Sequence, residues 1–115
     1  MEARAIAKWI RVSPYKIRRM ANLVRGKHVD EALNILHFSR TSASLPIEKV
    51  VRSAVANMMN DEKASKISSG DLFIKEIKVD GGFTMKRFRA ASMGRAMRIK
   101  KRTSHISVTV AELEE

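Results

Sequence analysis

Residues 81–111 read GGFTMKRFRAASMGRAMRIKKRTSHISVTVA. This stretch contains eight Lys or Arg residues and neither Asp nor Glu, so it cannot neutralise its own charge. Clustered cations bind phosphate backbones tightly because condensed counterions are released, whereas a folded core gains nothing from them. The stretch therefore predicts a nucleic-acid-binding segment over about residues 81–102, which we call the arm.

Charge is distributed unevenly along the 115 residues. Residues 1–29 carry a net charge of +7, residues 30–80 carry −1, residues 81–111 carry +8, and the last four residues carry −3. Two positive blocks around a nearly neutral middle predict a globular centre with separate basic surfaces, suited to a partner that wraps around the protein. A basic surface kept for solubility alone is the weaker interpretation, because solubility favours interspersed signs.

The length fits one domain, residues 1–115, which can bury roughly 60–70% of its unfolded surface. The chain has no cysteine, which excludes a disulfide framework and a thiolate metal site and agrees with a cytoplasmic protein. Cations interrupt the first twelve residues, and no apolar run approaches the length of a membrane span. We therefore expect a soluble protein with no signal peptide and no membrane partner.

Three helices are predicted. Ser13-Pro14 supplies a cap followed by a proline at the first helical position, and Gly26 ends the first helix. The second runs from about Val29 to Leu36. The third has the clearest periodicity, although its start could be capped by any of three residues, namely Ser39, Thr41 or Ser44. The inward residues of the first and third helices are predicted to be Ile17, Met20, Ala21, Val24, Ile47, Val50, Val51, Ala54, Val55 and Met58.

Three strands are predicted from alternating apolar residues. The apolar faces are Ile6, Ile10 and Val12 within residues 3–12, then Phe73, Ile77 and Val79 between Asp71 and Gly81-Gly82, and finally Ile106, Val108 and Val110. Because the last two strands bracket the arm, we expect them to pair antiparallel and the arm to extend that pair. The predicted fold class is α+β, with three helices packed on a small three-stranded antiparallel sheet. A globular part of residues 1–80 and 103–115 would carry a long protruding β-hairpin over about residues 81–102.

The arm mixes its cations with aromatic, methionine and small side chains. Arginines bond phosphates and stack on bases, phenylalanines such as Phe83 and Phe88 stack on unpaired bases, and small residues let RNA approach the backbone. A histone-like tail would be richer in lysine and poorer in phenylalanine. The composition leaves open whether the free arm is ordered or becomes ordered only on its partner, because it has no dry core of its own.

Signals for catalysis or metal binding are weak. The histidines lack metal-ligand spacing and a partner carboxylate, so His28 is assigned to a turn, His37 to a helix end, and His105 either to solvent or to RNA. Gly81-Gly82 lacks the helix and lysine of a phosphate-binding loop. We therefore predict a protein that is not an enzyme and has neither a cofactor nor a metal site.

Several motifs in order along the chain are similar to those of one protein family. They are RVSPYKIRRMANLVRGK at residues 11–27, SAVAN at 53–57, GRA at 94–96 and KRTSHI at 101–106. The chain resembles the bacterial large-subunit ribosomal protein twenty-two family over nearly its whole length. Several motifs at the correct spacing make this resemblance far more specific than any one of them.

The resemblance implies a small α+β domain on the outer surface of the large ribosomal subunit, with a hairpin that reaches inward through ribosomal RNA. It also implies help in early assembly and a hairpin that lines the nascent-peptide exit tunnel. The implied partners are large-subunit ribosomal RNA, neighbouring large-subunit proteins and the nascent polypeptide, with macrolide antibiotics bound nearby. The implied location is the ribosome in the cytoplasm.

Charge and resemblance together give the candidate site residues. The positions predicted to bind ribosomal RNA are Arg11, Lys16, Arg18, Arg19, Arg25, Lys27, Lys86, Arg87, Arg89, Arg95, Arg98, Lys100, Lys101, Arg102, Thr103, Ser104 and His105. The positions that the resemblance implies for the tunnel wall are Met85, Lys86, Arg87, Arg89, Ala90 and Ala91. Where the family typically carries a Pro-Arg-Ala type sequence, this chain reads Ala90-Ala91-Ser92, so it lacks a rigid proline and a cation at the tip.

Two other classes of protein are alternatives to this interpretation. A DNA-binding or nucleoid-associated protein would explain the charge equally well, but it would need a recognition helix or a dimer seam, and the pattern shows neither. A small enzyme acting on phosphorylated substrates would need a convergent acid-base pair. The sequence therefore favours a structural RNA-binding protein of the large subunit.

Overall fold

The computed structural model describes residues 2–60, 72–90 and 96–112. The elements follow the order β1 (Glu2–Ile10), α1 (Pro14–Val24), α2 (Val29–His37), α3 (Ser44–Met59), β2 (Leu72–Ala90) and β3 (Ala96–Glu112). β3 lies between β1 and β2 and pairs antiparallel with both. The predicted α+β class and three-stranded antiparallel sheet are confirmed. Among the described residues, no helix has the length and apolarity to cross a bilayer.

The core lies between the helices and one face of the sheet. α3 packs on β1 and β3, and α1 packs on β2. The fully buried large side chains are Ile17, Val24, Val29, Leu36, Ile47, Val51, Met58, Leu72, Ile74, Ile106, Val108 and Val110. Because burying one such side chain stabilises a protein by about 1.5–3 kcal/mol, this layer holds the helices on the sheet.

α1 begins and ends as its flanking residues predict. Ser13 has the extended backbone of a cap residue and Pro14 is the first helical residue, where its missing N–H costs nothing. After the helix, Gly26 has a φ of +79°, a left-handed conformation that glycine adopts without strain. Its N–H donates to the carbonyl of Ile74 at 3.2 Å, and the Ile74 N–H donates to the carbonyl of Lys27 at 2.9 Å. The turn therefore docks directly on β2.

The other two helices agree with the sequence pattern and settle the start of the third. α2 runs one residue past Leu36, and α3 begins at Ser44, whose hydroxyl donates to the Thr41 carbonyl at 2.7 Å. Pro46 thus lies in the first turn, where a proline is tolerated. Of the residues predicted to face inward in α3, only Val55 is half-buried; the others are buried. The loop predicted over residues 60–70 lies, beyond Asn60, outside the described residues.

One carboxylate on α3 joins two helices. Glu48 is largely buried and accepts hydrogen bonds from Arg52 Nε at 3.3 Å and Arg52 Nη2 at 2.9 Å. His37 Nδ1, at the end of α2, lies 3.5 Å from the same carboxylate oxygen. The hydrogen bonds from Arg52, aided by its charge and by His37, lower the pKa of Glu48 below its ordinary value, against the opposing effect of burial. Glu48 thus links the end of α2 to the N-terminal part of α3.

The predicted inward face of β1 is wrong for Ile6. Ile6 is 51% exposed, whereas its neighbour Ala5 is only 9% exposed and faces the helices. Ile10 does pack against the core, because a bulge between Ala7 and Ile10 changes the side-chain phase. Trp9 lies in this bulge with a φ of 62°. A pure alternation assigns Ile6 and Ile10 to one face because the extra residue leaves no mark on the pattern.

β2 differs from prediction in two respects, and in both places the strand contains a bulge. Phe73 is only half-buried, and Leu72 and Ile74 are the inward residues, because a register shift at Lys75 reverses the phase before Ile77. The strand also continues through Gly81-Gly82 instead of ending there. The two glycines mark a second bulge and not a turn.

The arm is an antiparallel extension of β2 and β3. Beyond the globular sheet, these strands pair from Thr84 opposite Arg102 to Ala90 opposite Ala96. Seven residues on β2 correspond to about 20 Å of strand. The molecule measures 65 × 24 × 17 Å, an elongated shape for its size. The predicted protruding hairpin is confirmed over these pairs. Its tip, expected near Arg87 to Arg95, lies outside the described residues from residue 91 onward.

Candidate nucleic-acid interface

The base of the arm is defined by two bulges that face the same part of β3. On β1, Lys8 and Trp9 together oppose His105. On β2, Gly82 and Phe83 together oppose Thr103. Each bulge adds one residue and so bends its strand and increases its twist. Here β1 ends and the remaining two strands continue as the arm.

Two buried hydroxyl groups hold this junction together. The Thr103 hydroxyl donates to the Phe83 carbonyl at 2.6 Å, and the Ser104 hydroxyl donates to the Val12 carbonyl at 2.6 Å. Thr103 is 6% exposed and Ser104 is fully buried. Both hydroxyls therefore have partners within the protein, and contact of these two residues with RNA stays a prediction.

His105 supports an exposed tryptophan. Its Nδ1 accepts the backbone N–H of Trp9 at 3.2 Å, and the two rings meet nearly perpendicular with centroids 4.6 Å apart. Trp9 is nevertheless 60% exposed. A left-handed backbone in a residue other than glycine costs about 1–3 kcal/mol and persists only where its surroundings enforce it. The sequence pattern does not single out Trp9, whose signal is that of a lone aromatic near Lys8 and Arg11.

Gly82 leaves the space that Thr103 and His105 occupy. A Cβ atom added at Gly82 would lie 2.6 Å from Thr103 Oγ1 and 3.1 Å from His105 Nε2. At the adjacent Gly81, an added Cβ would find only Pro14 Cγ, at 3.9 Å. The two glycines are therefore neighbours in sequence with opposite tolerance of a side chain.

We expect Gly82→Ala to lower the free energy of unfolding by about 1–3 kcal/mol, the usual cost of overpacking. Gly81→Ala is the matched control and should change it little, because its added methyl group meets ordinary van der Waals contact. Urea denaturation followed by circular dichroism measures both variants. Equal stability of the two would contradict the assigned packing of Gly82 against Thr103.

Four exposed cations from both basic sequence blocks line one open cleft at the base of the arm. Arg11 and Lys16 come from the N-terminal block, and Lys101 and Arg102 come from the arm. The four lie around Ser13 in a cleft of about 790 Å³. Folding thus unites charges that are more than eighty residues apart, which concentrates positive potential at the junction.

Two arginines, Arg18 on α1 and Arg25 directly after it, bond to backbone carbonyls of β2. Arg18 donates to the Val79 carbonyl through Nε at 3.2 Å and Nη2 at 2.9 Å, and Arg25 donates to the Ile77 carbonyl at 2.9 Å. These bonds attach α1 to β2. Both side chains are still exposed and keep further N–H groups for a ligand.

The remaining basic positions before the arm differ in their surroundings. Arg19 is exposed, with its guanidinium carbon 5.9 Å from the centre of the Tyr15 ring. Lys27 lies 3.4 Å from Glu31 and is half-buried. The two charged ends are still open to water, so the pair contributes little to stability and leaves the lysine available to a stronger anion. Arg19 is thus the more open of the two positions.

The backbone of most predicted arm residues is part of β2 or β3. The strand register places Met85 opposite Lys101, Lys86 opposite Lys100, Arg87 opposite Ile99, Phe88 opposite Arg98, Arg89 opposite Met97, and Ala90 opposite Ala96. Arg95 and Ala91 lie outside the described residues. No group of three or more potential metal-ligating side chains occurs within residues 2–60, 72–90 and 96–112.

Comparison with known proteins gives one consistent result. The model of the family "Ribosomal protein L22p/L17e" matches residues 5–111. A protein named large ribosomal subunit protein uL22 from Bifidobacterium animalis subsp. lactis is 53% identical over 99% of this chain and 98% of its own. Those of the same name from Halothermothrix orenii and Desulfitobacterium hafniense are 50% and 47% identical, and cover 100% and 99% of this chain and 99% and 97% of their own.

Proposed function

Because the chain belongs to the ribosomal protein L22p/L17e family, it is a structural, non-enzymatic component of the large ribosomal subunit, and we propose how it acts there. Its globular part, residues 1–80 and 103–115, anchors it on ribosomal RNA. The arm, about residues 81–102, enters between RNA segments, supports their assembly and lines the nascent-peptide exit tunnel.

The observation that carries this proposal is the convergence of both basic blocks at the base of the arm. Arg11, Lys16, Lys101 and Arg102 surround one open cleft and are all exposed. Phosphates bound in this cleft would fix the direction in which the arm leaves the domain, because phosphate contacts position a protein on nucleic acid. The junction is therefore the proposed anchor.

The arm itself favours a polyanionic partner. Its register places Lys86 opposite Lys100, and like charges directly opposite each other destabilise an antiparallel pair. RNA phosphates on both sides of the arm would remove this repulsion and release counterions. Because an isolated hairpin of two strands is marginally stable in water, contact with RNA would also stabilise the fold of the arm.

The remaining assignments belong to the same proposal. The other RNA-binding positions are Arg18, Arg19, Arg25, Lys27, Arg87, Arg89, Arg95 and Arg98, with Thr103, Ser104 and His105 at the junction. The tunnel wall would receive Met85, Lys86, Arg87, Arg89, Ala90 and Ala91, next to the nascent polypeptide and to bound macrolide antibiotics. Of the tunnel positions, those from Met85 to Ala90 lie on the part of β2 that extends beyond the globular sheet.

The proposal is tested by binding of the purified protein to deproteinised large-subunit RNA between 50 and 200 mM salt. If about six to ten phosphates are contacted, the affinity falls about 10³- to 10⁵-fold over this range. Duplex DNA added as competitor at physiological salt separates this function from that of a DNA-binding protein. Weak salt dependence, or displacement of RNA by DNA, would overturn the proposal.

A further inference from the structure

The face of the sheet opposite the helices carries polar and charged side chains around Trp9. Arg4 donates from Nε to the Ser107 hydroxyl at 2.9 Å on this face, and Lys78 lies 3.1 Å from Glu76. No described helix packs over it, since the helices bury the alternate residues of each strand. An open sheet face with an exposed aromatic is the arrangement on which single-stranded RNA modules stack bases.

Trp9 is held in a conformation that its own side chain does not favour. Its φ of 62° lies in the left-handed region, which glycine adopts freely and which a residue with a side chain rarely adopts. The His105 imidazole accepts its backbone N–H and touches its ring edge-to-face, so the indole is fixed while 60% of the residue stays exposed. Strained residues of this kind cluster at ligand sites.

The surroundings select the ligand. Lys8 and Arg11 flank Trp9 on β1 and its connection to α1, and Arg102 is three residues, about 10 Å, from His105 along β3. Asp80, opposite His105 in register, is the acid beside this group. An aromatic ring among cations suits a nucleotide, whose base stacks while its phosphates meet the cations. An apolar protein segment would leave those cations unpaired.

We propose that Trp9 stacks on an unpaired nucleobase of large-subunit RNA, next to the phosphates bound at the base of the arm. This inference rests on the proposed RNA-binding function. It adds a base-stacking contact to the electrostatic attraction between cations and phosphates. Stacking is tolerant of sequence because every base has a π-face, so the site requires an unstacked base and not a particular one.

Two variants separate the ring from the backbone. Trp9→Gly removes the ring and suits the left-handed backbone, so the protein should remain folded; Trp9→Phe keeps an aromatic face. We expect Trp9→Gly to weaken binding of deproteinised large-subunit RNA about 5- to 100-fold, the usual range for one lost stack, and Trp9→Phe to retain most of the affinity. The salt dependence should stay unchanged in both, because no phosphate contact is removed.

Trp9 is also the single tryptophan of the chain, so its fluorescence reports on the site directly. Emission of the unmodified protein should be quenched by single-stranded large-subunit RNA and much less by a perfect RNA duplex, whose bases are already stacked. RNA binding with unquenched emission, or unchanged affinity in a folded Trp9→Gly variant, would overturn the stacking site while RNA binding stood. Absence of RNA binding by the unmodified protein would overturn the proposed function as well.

Discussion

Replacing Lys86, Arg87, Arg98 and Lys100 together by glutamine is expected to weaken binding to large-subunit RNA about 10³-fold near 0.1 M salt. Each neutralised phosphate contributes about 0.7–0.9 to the steepness with which log K falls with log salt. Four lost contacts therefore reduce this steepness by about 3. The measurement is a salt series of RNA binding. Affinity falls because a glutamine, which is uncharged, releases no counterion from the phosphate that the cation contacted.

A matched variant controls for net charge. Glutamine at Arg40, Lys49, Lys63 and Lys66 also removes four positive charges, but these positions belong to the nearly neutral middle of the chain. We expect its affinity and salt slope to stay close to those of the unmodified protein. Equal losses in the two variants would contradict the arm as the site of phosphate contact and would indicate a response to total charge alone.

The helices could be predicted because each has a local and redundant signal. α1 has Ser13-Pro14 before it and Gly26 after it, and α3 repeats its apolar residues at i, i+3, i+4 and i+7 from Ile47 onward. A single error in such a pattern does not move the buried face. The start of α3 was ambiguous because several residues could cap it; in the structure Ala43 precedes the helix and Ser44 is its first residue, so none of the three predicted caps holds that position.

The strands were harder because their period is two. One extra residue exchanges the two faces of a strand, and this happens at Trp9, at Lys75 and at Gly82-Phe83. Alternation therefore assigned Ile6 and Phe73 to the core, although Ile6 is exposed and Phe73 is half-buried. β3 pairs with both neighbours, has no extra residue of its own, and was predicted correctly over its buried part.

The site was predictable where it depends on charge and unpredictable where it depends on contact. The sequence identifies two basic blocks, but only the fold brings Arg11 and Lys16 beside Lys101 and Arg102. Conversely, charge and motif cannot reveal that Thr103 donates its hydroxyl inside the fold, because the partner carbonyl is set by a bulge.

The core and the arm should respond differently to substitution. Stability resides in the layer between the helices and the sheet, whereas the described part of the arm beyond Thr84 is formed by the pairing of its two strands. Substitutions in the core should therefore change unfolding, and substitutions in the arm should change RNA binding with little effect on unfolding. Substitutions at the junction, at Gly82 or Ser104, should change both unfolding and RNA binding, because its bulges belong to the sheet and set the start of the arm.

Ile106→Ala is expected to lower the free energy of unfolding by about 2–5 kcal/mol, a large share of the 5–15 kcal/mol typical of a domain. Ile106 is fully buried on the central strand and pairs with Ala7 and Val79, so its neighbours are held on both sides and cannot collapse into the cavity. Ser107→Ala is the matched control on the opposite face. It removes only the exposed hydrogen bond from Arg4, and we expect a loss of about 1 kcal/mol or less. Urea denaturation at constant salt compares the two, and similar losses at both positions would contradict the assignment of the Ile106 face as the core.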